Sequence, residues 1–279
     1  MKPRPRQRIA CEASLKKDSR LTLGGPQAHY LTHVLRLRTG DAVALFNGRD
    51  GEFPATLEAQ DKKSVTLVVG ECLRVPRAAL DLWVCFAPIK GGRLETIVEK
   101  ATELGASVLQ PVLTRRTIVD KVNVERLSAI AREAAEQSER TDWPEIREPL
   151  KLPNLLADWP TDRPLIYGDE SGESAPLSSL LPSLRGGGAD AAIQSLPVAP
   201  TGLLRRDAPR NDGWKWAVLA GPEGGFAPEE FALLRRVHGA HGVGLGPRIL
   251  RADTAAITLT ALTASAWGDW DQRPRFEET

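Results

Sequence analysis

The sequence is poor in the residues that form zinc centres and thiol redox motifs. Its three cysteines, Cys11, Cys72 and Cys85, are odd in number and widely spaced in the 279-residue chain, and none forms a CxxC pair. Zinc ribbons and redox motifs need such closely spaced pairs. Both classes are therefore excluded, and we expect three reduced thiols in a cytoplasmic protein.

Long hydrophobic runs are also missing. No stretch approaches the ~18 apolar residues of a membrane span, and the N-terminus lacks the charged-then-apolar pattern of a signal peptide. We therefore expect neither a membrane protein nor a secreted precursor. The chain is 42% hydrophobic and 26% charged. Its length corresponds to about two domains with sizeable cores.

Familiar ligand-binding motifs are few. The chain contains no GxxxxGK[ST] loop for a nucleoside triphosphate, and Gly242–Gly246 lacks the glycine spacing and downstream acid of a dinucleotide loop. Two histidine pairs have a spacing that metals use, namely His29 with His33 and His238 with His241. Because neither pair is accompanied by further ligands, we predict surface or packing histidines and no metal site.

Positive charge is concentrated near the N-terminus. Residues 1–75 contain 13 Lys or Arg against 8 Asp or Glu, although the whole chain carries a net charge of only +1. Basic side chains bind phosphates without reading a sequence, whereas a basic terminus can also be a simple solubilising tail. The candidate phosphate contacts are Lys2, Arg4, Arg6, Arg8, Arg36 and Arg38.

The first part of the chain has the pattern of a small β-barrel. Short strand-like runs, each bounded by turn residues, cover Ala42–Phe46, Glu52–Leu57 and Ser64–Val69. One helix, predicted over His29–Leu37, interrupts them. We place this domain at residues 1–75.

From residue 78 onward, strands and helices alternate. Strands are predicted at Leu82–Ile89, Val108–Leu113, Pro164–Tyr167 and Trp216–Ala220, and helices at Leu94–Leu104, Val124–Gln137 and Thr254–Trp267. This alternation predicts an α/β domain with a mainly parallel sheet over residues 78–279. Residues 185–213 are rich in glycine and proline and have no periodicity, so we predict a flexible insertion there.

Two glycine-containing loops are the strongest candidates for a binding site. The first, Gly221–Phe226, reads GPEGGF and follows the predicted strand Trp216–Ala220. Glycines at the carboxyl end of a strand expose backbone groups to a flat ligand, although a tight turn would use the same residues. The second loop, within Leu245–Ala255, reads LGPRILRADTA and also leads into a helix.

Together with three shorter segments, these loops resemble the RsmE family, the 16S ribosomal RNA uracil-N3 methyltransferases of the SPOUT superfamily. The shorter segments are Lys90–Glu95, Glu103–Gly105 and Ala135–Arg140. The resemblance covers nearly the whole chain. It implies a PUA-like barrel, an α/β domain tied in a trefoil knot, bound S-adenosylmethionine and a homodimer that acts on 16S RNA or the small ribosomal subunit.

The resemblance also implies roles for particular residues. Cofactor contacts would come from Leu219, Gly221, Glu223, Gly224, Leu245, Gly246, Ile249 and Leu250. Arg251 and Asp253 would face the methyl-transfer centre, where the arginine could stabilise a uracil anion and Asp253 or Glu223 could orient it or accept the N3 proton. Without the resemblance, the same pair could be only a helix cap and a dipole partner.

The sequence departs from the family in two places. Asp253 stands where the family usually has Glu, so its carboxylate is one methylene shorter, and residues 185–213 have no counterpart. Two other functions stay open. A related knotted enzyme could methylate a ribose hydroxyl or a transfer RNA base, and a non-catalytic RNA-binding protein could use the glycine loops only as turns.

Overall fold

The computed structural model describes residue 5 and residues 7–76, 80–119, 121–179 and 215–270. The chain divides into two compact units. The N-terminal unit comprises Met1–Ala78 and Arg132–Trp143, and the C-terminal unit comprises Ala79–Ala131 and Pro144–Thr279. The predicted domain boundary near residue 78 and the predicted insertion at residues 185–213 lie outside the described residues.

The N-terminal unit is built on an open five-stranded sheet. Its strands are β1 (Arg8–Ala10), β2 (Arg20–Gly24), β3 (Ala42–Phe46), β4 (Glu52–Gln60) and β5 (Ser64–Val69). The strand order is β1-β3-β4-β5-β2, with a parallel β1–β3 pair and antiparallel pairs elsewhere. In β5 every second residue is buried, as expected for a strand with one face on the core.

The helix of this unit begins earlier than the sequence predicts. Helix α1 covers Gly25–His29 and continues as a π-helical turn over Tyr30–Val34, so the predicted range His29–Leu37 is wrong at both ends. Pro26 lies in the first turn, where its missing N–H removes no helical hydrogen bond. This early start brings Ala28 and Leu31 into the core.

The C-terminal unit contains a parallel sheet flanked by helices. Its strands are β6 (Asp81–Phe86), β7 (Val108–Leu113), β8 (Glu145–Ile146), β9 (Leu150–Lys151), β10 (Leu165–Gly168), β11 (Lys215–Ala220) and β12 (Ala240–Val243). Its helices are α2 (Arg93–Glu103), α3 (Val124–Gln137), which continues into the N-terminal unit, α4 (Leu152–Ala157), α5 (Pro228–Leu234) and α6 (Ala252–Trp267). Every strand pair in the described part of this sheet is parallel.

The order of these strands explains where a site can form. Along the sheet the order is β12-β10-β11-β6-β7-β8, with β9 also paired to β7. The chain first builds outward from β6 to β7 and later returns to add β10, β11 and β12 on the other side of β6. In parallel α/β sheets, ligands bind beyond the carboxyl ends of strands near such a reversal. The predicted fold class is confirmed, and the trefoil knot stays a prediction.

The helices cover the sheet with apolar side chains. In α2 the buried residues Ile97, Val98 and Ala101 have the spacing of one helix face. Gly105, with φ of +96°, lies just beyond the end of this helix. Helix α6 packs on β6, β10 and β11, which places its first turn near the carboxyl ends of these strands. No helix within the described residues is long and apolar enough to cross a membrane.

Candidate functional site

A cavity of about 520 Å³ lies beyond the carboxyl ends of β10, β11 and β12. Three loops and the start of α6 form its walls. They contribute Gly168, Asp169, Glu170, Gly172, Ser174 and Pro176 after β10, then Ala220, Gly221, Pro222, Glu223 and Gly225 after β11, and Gly244–Leu250, Ala252 and Ala255 after β12. Six of these lining residues are glycines, so backbone atoms form much of the cavity wall.

The loop after β11 requires a glycine at position 225. Gly225 has a φ of +67°, and a Cβ built there would lie 1.7 Å from Oε1 of Glu170. The same Oε1 accepts a hydrogen bond of 3.1 Å from the backbone N–H of Phe226. The loops after β10 and β11 are therefore joined through a carboxylate that only a residue without a side chain can approach so closely.

A buried glutamate fixes the end of this loop where α5 begins. Glu230 is 3% exposed and accepts hydrogen bonds of 2.8 Å from the backbone N–H groups of Ala227 and Arg115. The N–H groups at a helix start have no partners within the helix, so a carboxylate satisfies them well. Glu230 thereby ties the first turn of α5 to the segment after β7.

The loop after β10 is held by an aspartate. The Asp169 carboxylate accepts hydrogen bonds of 2.9 Å from the Ser171 N–H and 2.5 Å from the Ser174 hydroxyl. Burial alone would raise the pKa of Asp169, but these hydrogen bonds outweigh it and hold the pKa below its ordinary value. The charged form is therefore the stable one, and it organises the loop around the cavity.

The loop after β12 combines backbone pairing with an exposed apolar side chain. Gly244 exchanges backbone hydrogen bonds of 2.9 Å with Ala175 and Leu177, which joins this loop to the one after β10. Gly246 has a φ of +98°, where a side chain would be strained. Ile249 is 93% exposed at the cavity wall. An isoleucine so exposed beside a cavity can contribute apolar contact to a ligand.

Two charged residues lie at the start of α6 among the lining residues Leu250, Ala252 and Ala255, although neither of the two lines the cavity itself. Arg251 is the N-cap residue, is exposed and makes no side-chain capping bond, and Asp253 lies in the first turn. Oδ1 of Asp253 is buried and has no hydrogen-bond partner within the described residues. Asp253 is therefore not the N-cap itself, and its charge in the first turn interacts favourably with the helix dipole, as the simpler interpretation also expects. A buried acceptor without a partner is costly and suggests a missing ligand.

Most of the predicted cofactor residues come together in this cavity. The lining includes Gly221, Glu223, Leu245, Gly246, Ile249 and Leu250. Two predicted residues do not line it. Leu219 is fully buried in β11 and packs in an apolar cluster with Tyr167 and Phe226. Gly224 faces Arg116 instead, which donates a hydrogen bond of 2.6 Å to its carbonyl oxygen.

The sequence interpretation missed the loop after β10. Its strand was predicted, and the following residues Gly168–Ser174 are rich in small and acidic side chains. Because carboxyl ends of neighbouring parallel strands share one edge, this composition would indicate a site once the strand order is known. The sequence alone does not show that β10 lies between β11 and β12.

The predicted phosphate contacts have three different outcomes. Arg36 and Arg38 are exposed in the N-terminal unit. Arg8 is buried, and its guanidinium pairs with Glu52 at 2.8 Å and donates to the carbonyl oxygens of Ala135 and Glu136. The prediction for Arg8 is wrong because this side chain holds the unit together. Lys2, Arg4 and Arg6 lie outside the described residues.

Two protein families match this chain, one in each part of the sequence. The RNA methyltransferase domain family matches residues 76–196 and 199–264, and the RNA methyltransferase PUA domain family matches residues 23–70. The fold is thus that of an RNA methyltransferase with a PUA domain. More narrowly, the chain belongs to the ribosomal RNA small subunit methyltransferase E family.

Individual relatives are similar to this chain over almost its full length. Ribosomal RNA small subunit methyltransferase E of Rickettsia conorii is 32% identical over 255 residues, which cover 91% of this chain and 93% of the relative. A Legionella pneumophila protein described as a methyltransferase, solved with bound SAM, is 29% identical at a TM-score of 0.72, covering 93% and 97% of the two chains. The methyltransferase E of Neisseria gonorrhoeae, solved with S-adenosyl methionine, is 22% identical at a TM-score of 0.75, covering 95% and 99%.

Proposed function

We propose that this protein transfers a methyl group from S-adenosylmethionine to N3 of a uracil in the 16S RNA of the small ribosomal subunit. The observation that carries the proposal is the glycine-walled cavity at the carboxyl ends of β10, β11 and β12. It occurs in a chain 32% identical to a ribosomal RNA small subunit methyltransferase E. Bound SAM in the Legionella relative supports the same cofactor here.

The cavity suits this cofactor in size and chemistry. Its volume of about 520 Å³ lies within the roughly 300–1,000 Å³ of small-molecule sites. The glycines of the loops allow backbone groups to contact the adenosine, and Leu245, Ile249 and Leu250 offer apolar contact. Gly225 lines the cavity and the predicted Gly224 does not, so we assign the cofactor contact of this loop to Gly225. When bound, S-adenosylmethionine supplies a methyl group activated by a positively charged sulfur.

We propose that the residues at the start of α6 activate the uracil as a nucleophile. Uracil N3 carries a proton and is a weak nucleophile until that proton leaves. The partly exposed carboxylate of Asp253, in the first turn of α6, is the group proposed to accept the N3 hydrogen bond and then the proton. The exposed guanidinium of Arg251, together with the positive end of the 16-residue helix, can stabilise the negative charge that develops on the base.

One assay separates this proposal from its two alternatives. The protein is incubated with methyl-labelled S-adenosylmethionine and small subunits, or their free RNA, from cells that lack the modification. Nucleosides from the digested RNA are then separated by mass spectrometry. Labelled 3-methyluridine is the expected product. A ribose-methylated nucleoside or a transfer RNA product would favour a related methyltransferase, and RNA binding without any transfer would favour a non-catalytic protein.

The role of Asp253 has a matched control. Asp253→Asn should lower turnover by ~100-fold, the scale of a positioned acid–base group, at saturating cofactor and RNA. Glu229 occupies the same position in the first turn of α5, and none of its immediate neighbours lines the cavity, whereas Asp253 lies between the lining residues Ala252 and Ala255. Glu229→Gln therefore removes an equivalent helix-end charge and should leave turnover within about twofold of wild type. Equal effects of the two substitutions would remove Asp253 from the mechanism.

The RNA surface is proposed to lie in the N-terminal unit. Arg36 and Arg38 are its described candidates, and Lys2, Arg4 and Arg6 could extend it. Arg36→Ala/Arg38→Ala should weaken RNA binding and reduce its salt dependence by about one to two units of slope. Cofactor affinity should not change, because the cavity is built entirely from the C-terminal unit.

We also propose a cytoplasmic homodimer. A cytoplasmic location follows from a role in ribosome maturation. The dimer is supported by the exposed Ile249 and by the half-buried Ile257 and Leu262 on the largely apolar α6. Light scattering at micromolar concentration should give about twice the chain mass of 30.4 kDa. An active 30.4 kDa monomer would contradict the dimer.

A further inference from the structure

The N-terminal unit contains a second cavity that the proposed chemistry does not use. It has a volume of about 240 Å³ and lies between the helical segment after β2 and the turn that joins β4 to β5. The helical segment contributes His29, Thr32 and His33, and the turn contributes Asp61, Lys62 and Lys63. Two imidazoles therefore share one small cavity with two lysines and a single carboxylate.

The two histidines form a stacked aromatic pair at the surface. The rings of His29 and His33 are stacked, with centroids 4.5 Å apart and planes inclined by only 7°. The Thr32 hydroxyl donates to the Ala28 carbonyl oxygen at 2.8 Å and lies 2.8 Å from Nδ1 of His33. Because the single hydroxyl proton is used at Ala28, Nδ1 must be the donor in the second bond. Nε2 of His33 is then the ring nitrogen that remains for a ligand.

A metal ion does not account for this cavity. Within the described residues, no group of three His, Cys, Asp or Glu side chains is arranged to hold one. Two histidines alone lack the further ligands that a zinc ion needs. The cavity is also smaller than the roughly 300 Å³ lower limit of typical small-molecule sites, so it suits part of a larger ligand that continues outside.

We propose that this cavity binds one unpaired nucleotide of the RNA substrate, with its base extending the stacked pair of His29 and His33 at one outer face and a phosphate beside Lys62 and Lys63. Unpaired bases of RNA stack on aromatic side chains, including histidine, and lysines neutralise the backbone. The proposal rests on the proposed function, because it assumes that the substrate is RNA. It adds a second RNA contact, distinct from Arg36 and Arg38.

Direct binding of RNA to the full chain tests the lysines. The probe is a fluorescein-labelled single-stranded RNA of 12 nucleotides, followed by anisotropy over a range of salt concentrations. Lys62→Gln/Lys63→Gln should weaken binding about tenfold and reduce the salt slope by about one unit or more. Lys16→Gln/Lys17→Gln removes the same charge from another exposed part of the unit and should have a clearly smaller effect.

The histidines are tested by loss and rescue of stacking. His29→Ala/His33→Ala should weaken binding of the single strand about tenfold or more, the scale of one lost base stack. A duplex of the same length should lose much less, because its bases are already stacked. His29→Phe/His33→Phe keeps aromatic faces at both positions and should restore affinity to within about threefold of wild type. Equal losses for single strand and duplex, or no rescue by phenylalanine, would overturn the stacking role.

Cofactor binding and methyl transfer, measured on the same preparations, distinguish failure of this inference from failure of the proposed function. We expect the cavity variants to raise the KM for RNA with kcat and cofactor affinity unchanged. If they bind RNA as wild type does while wild type methylates it, the nucleotide cavity is wrong and the proposed function stands. If they lose RNA while wild type transfers no methyl group, the cavity stands and the proposed function is wrong.

Discussion

Replacement of Gly225 by alanine tests the most constrained contact at the cavity. The added Cβ would stand 1.7 Å from Oε1 of Glu170, so the carboxylate must move away. Moving it breaks the hydrogen bond from the Phe226 N–H. The new residue must also keep a φ of +67°, where side chains other than glycine are strained.

The expected loss of stability follows from these terms. Left-handed backbone costs an alanine about 1–2 kcal/mol. A hydrogen bond to a charged acceptor contributes about 1.5–3 kcal/mol, and the lower value applies because Glu170 is exposed to solvent. The lower entropy of unfolded alanine offsets about 0.4–1 kcal/mol. The net loss is about 2–3 kcal/mol, or roughly 4–12 °C in Tm for a unit of this size.

Two further variants isolate the cause. Gly224→Ala is the matched control, because its Cβ would meet Arg116 at an ordinary 3.4 Å and its φ is not positive. In a Glu170→Ala background the clash and the hydrogen bond are both absent, so Gly225→Ala should cost only about 1 kcal/mol of backbone strain. Thermal unfolding gives the stabilities, and titration calorimetry should show cofactor affinity reduced about tenfold in Gly225→Ala only.

The reasoning is refuted by either of two results. One is a Gly225→Ala protein that melts within about 1 °C of Gly224→Ala, against the difference of several degrees expected here. The other is additivity of Gly225→Ala and Glu170→Ala, since residues in contact should be coupled by more than about 0.5 kcal/mol. Either result would mean that the two loops do not meet through Glu170.

Three other predictions concern buried polar and thiol groups. Glu230→Ala should lower the free energy of unfolding in urea by about 2–4 kcal/mol, because two backbone N–H groups lose their acceptor; a change under about 0.5 kcal/mol would contradict this. Ellman's reagent should modify Cys72 alone in the native protein, since Cys11 and Cys85 are buried and burial raises their pKa values to about 11 and about 12; a second fast-reacting thiol would contradict it. Hydrogen bonds lower the pKa of Asp169 in the folded protein, so its charged form stabilises the fold above its ordinary pKa. This stabilisation is lost as the pH falls through the lowered pKa of the folded state. Asp169→Asn should therefore make stability less dependent on pH in this acidic range, as measured by circular dichroism, and an unchanged pH dependence would contradict the assignment.

Elements with strong periodicity could be predicted from the sequence. The boundaries of β3, β5, β7 and α3 agree with the structure, because each of these elements has a clear apolar pattern bounded by turn residues. The two-residue strands β8 and β9 were missed. Such short strands contain too few residues for an alternation to be counted, and neighbouring strands decide whether they pair.

The candidate site could be predicted in part from its glycine loops. Gly221 follows the predicted strand Trp216–Ala220, Gly246 was assigned from the family resemblance, and both line the cavity. Glu170 was not, because its importance depends on a contact with residues 225 and 226, more than fifty positions away. Arg8 was assigned to RNA from its charge, yet it lies buried against Glu52. Charge in a sequence does not reveal whether a distant carboxylate will neutralise it.

The start of α6 combines a stability cost with a functional opportunity. A buried acceptor without a partner, such as Oδ1 of Asp253, costs about 1–3 kcal/mol. The interaction of this carboxylate with the helix dipole stabilises the protein by only about 0.3–1 kcal/mol. Because the cost exceeds this contribution, the aspartate does not stabilise the free protein. Asp253→Ala should therefore leave thermal stability equal or higher while turnover falls, and a clear loss of stability would show that this aspartate serves the fold instead.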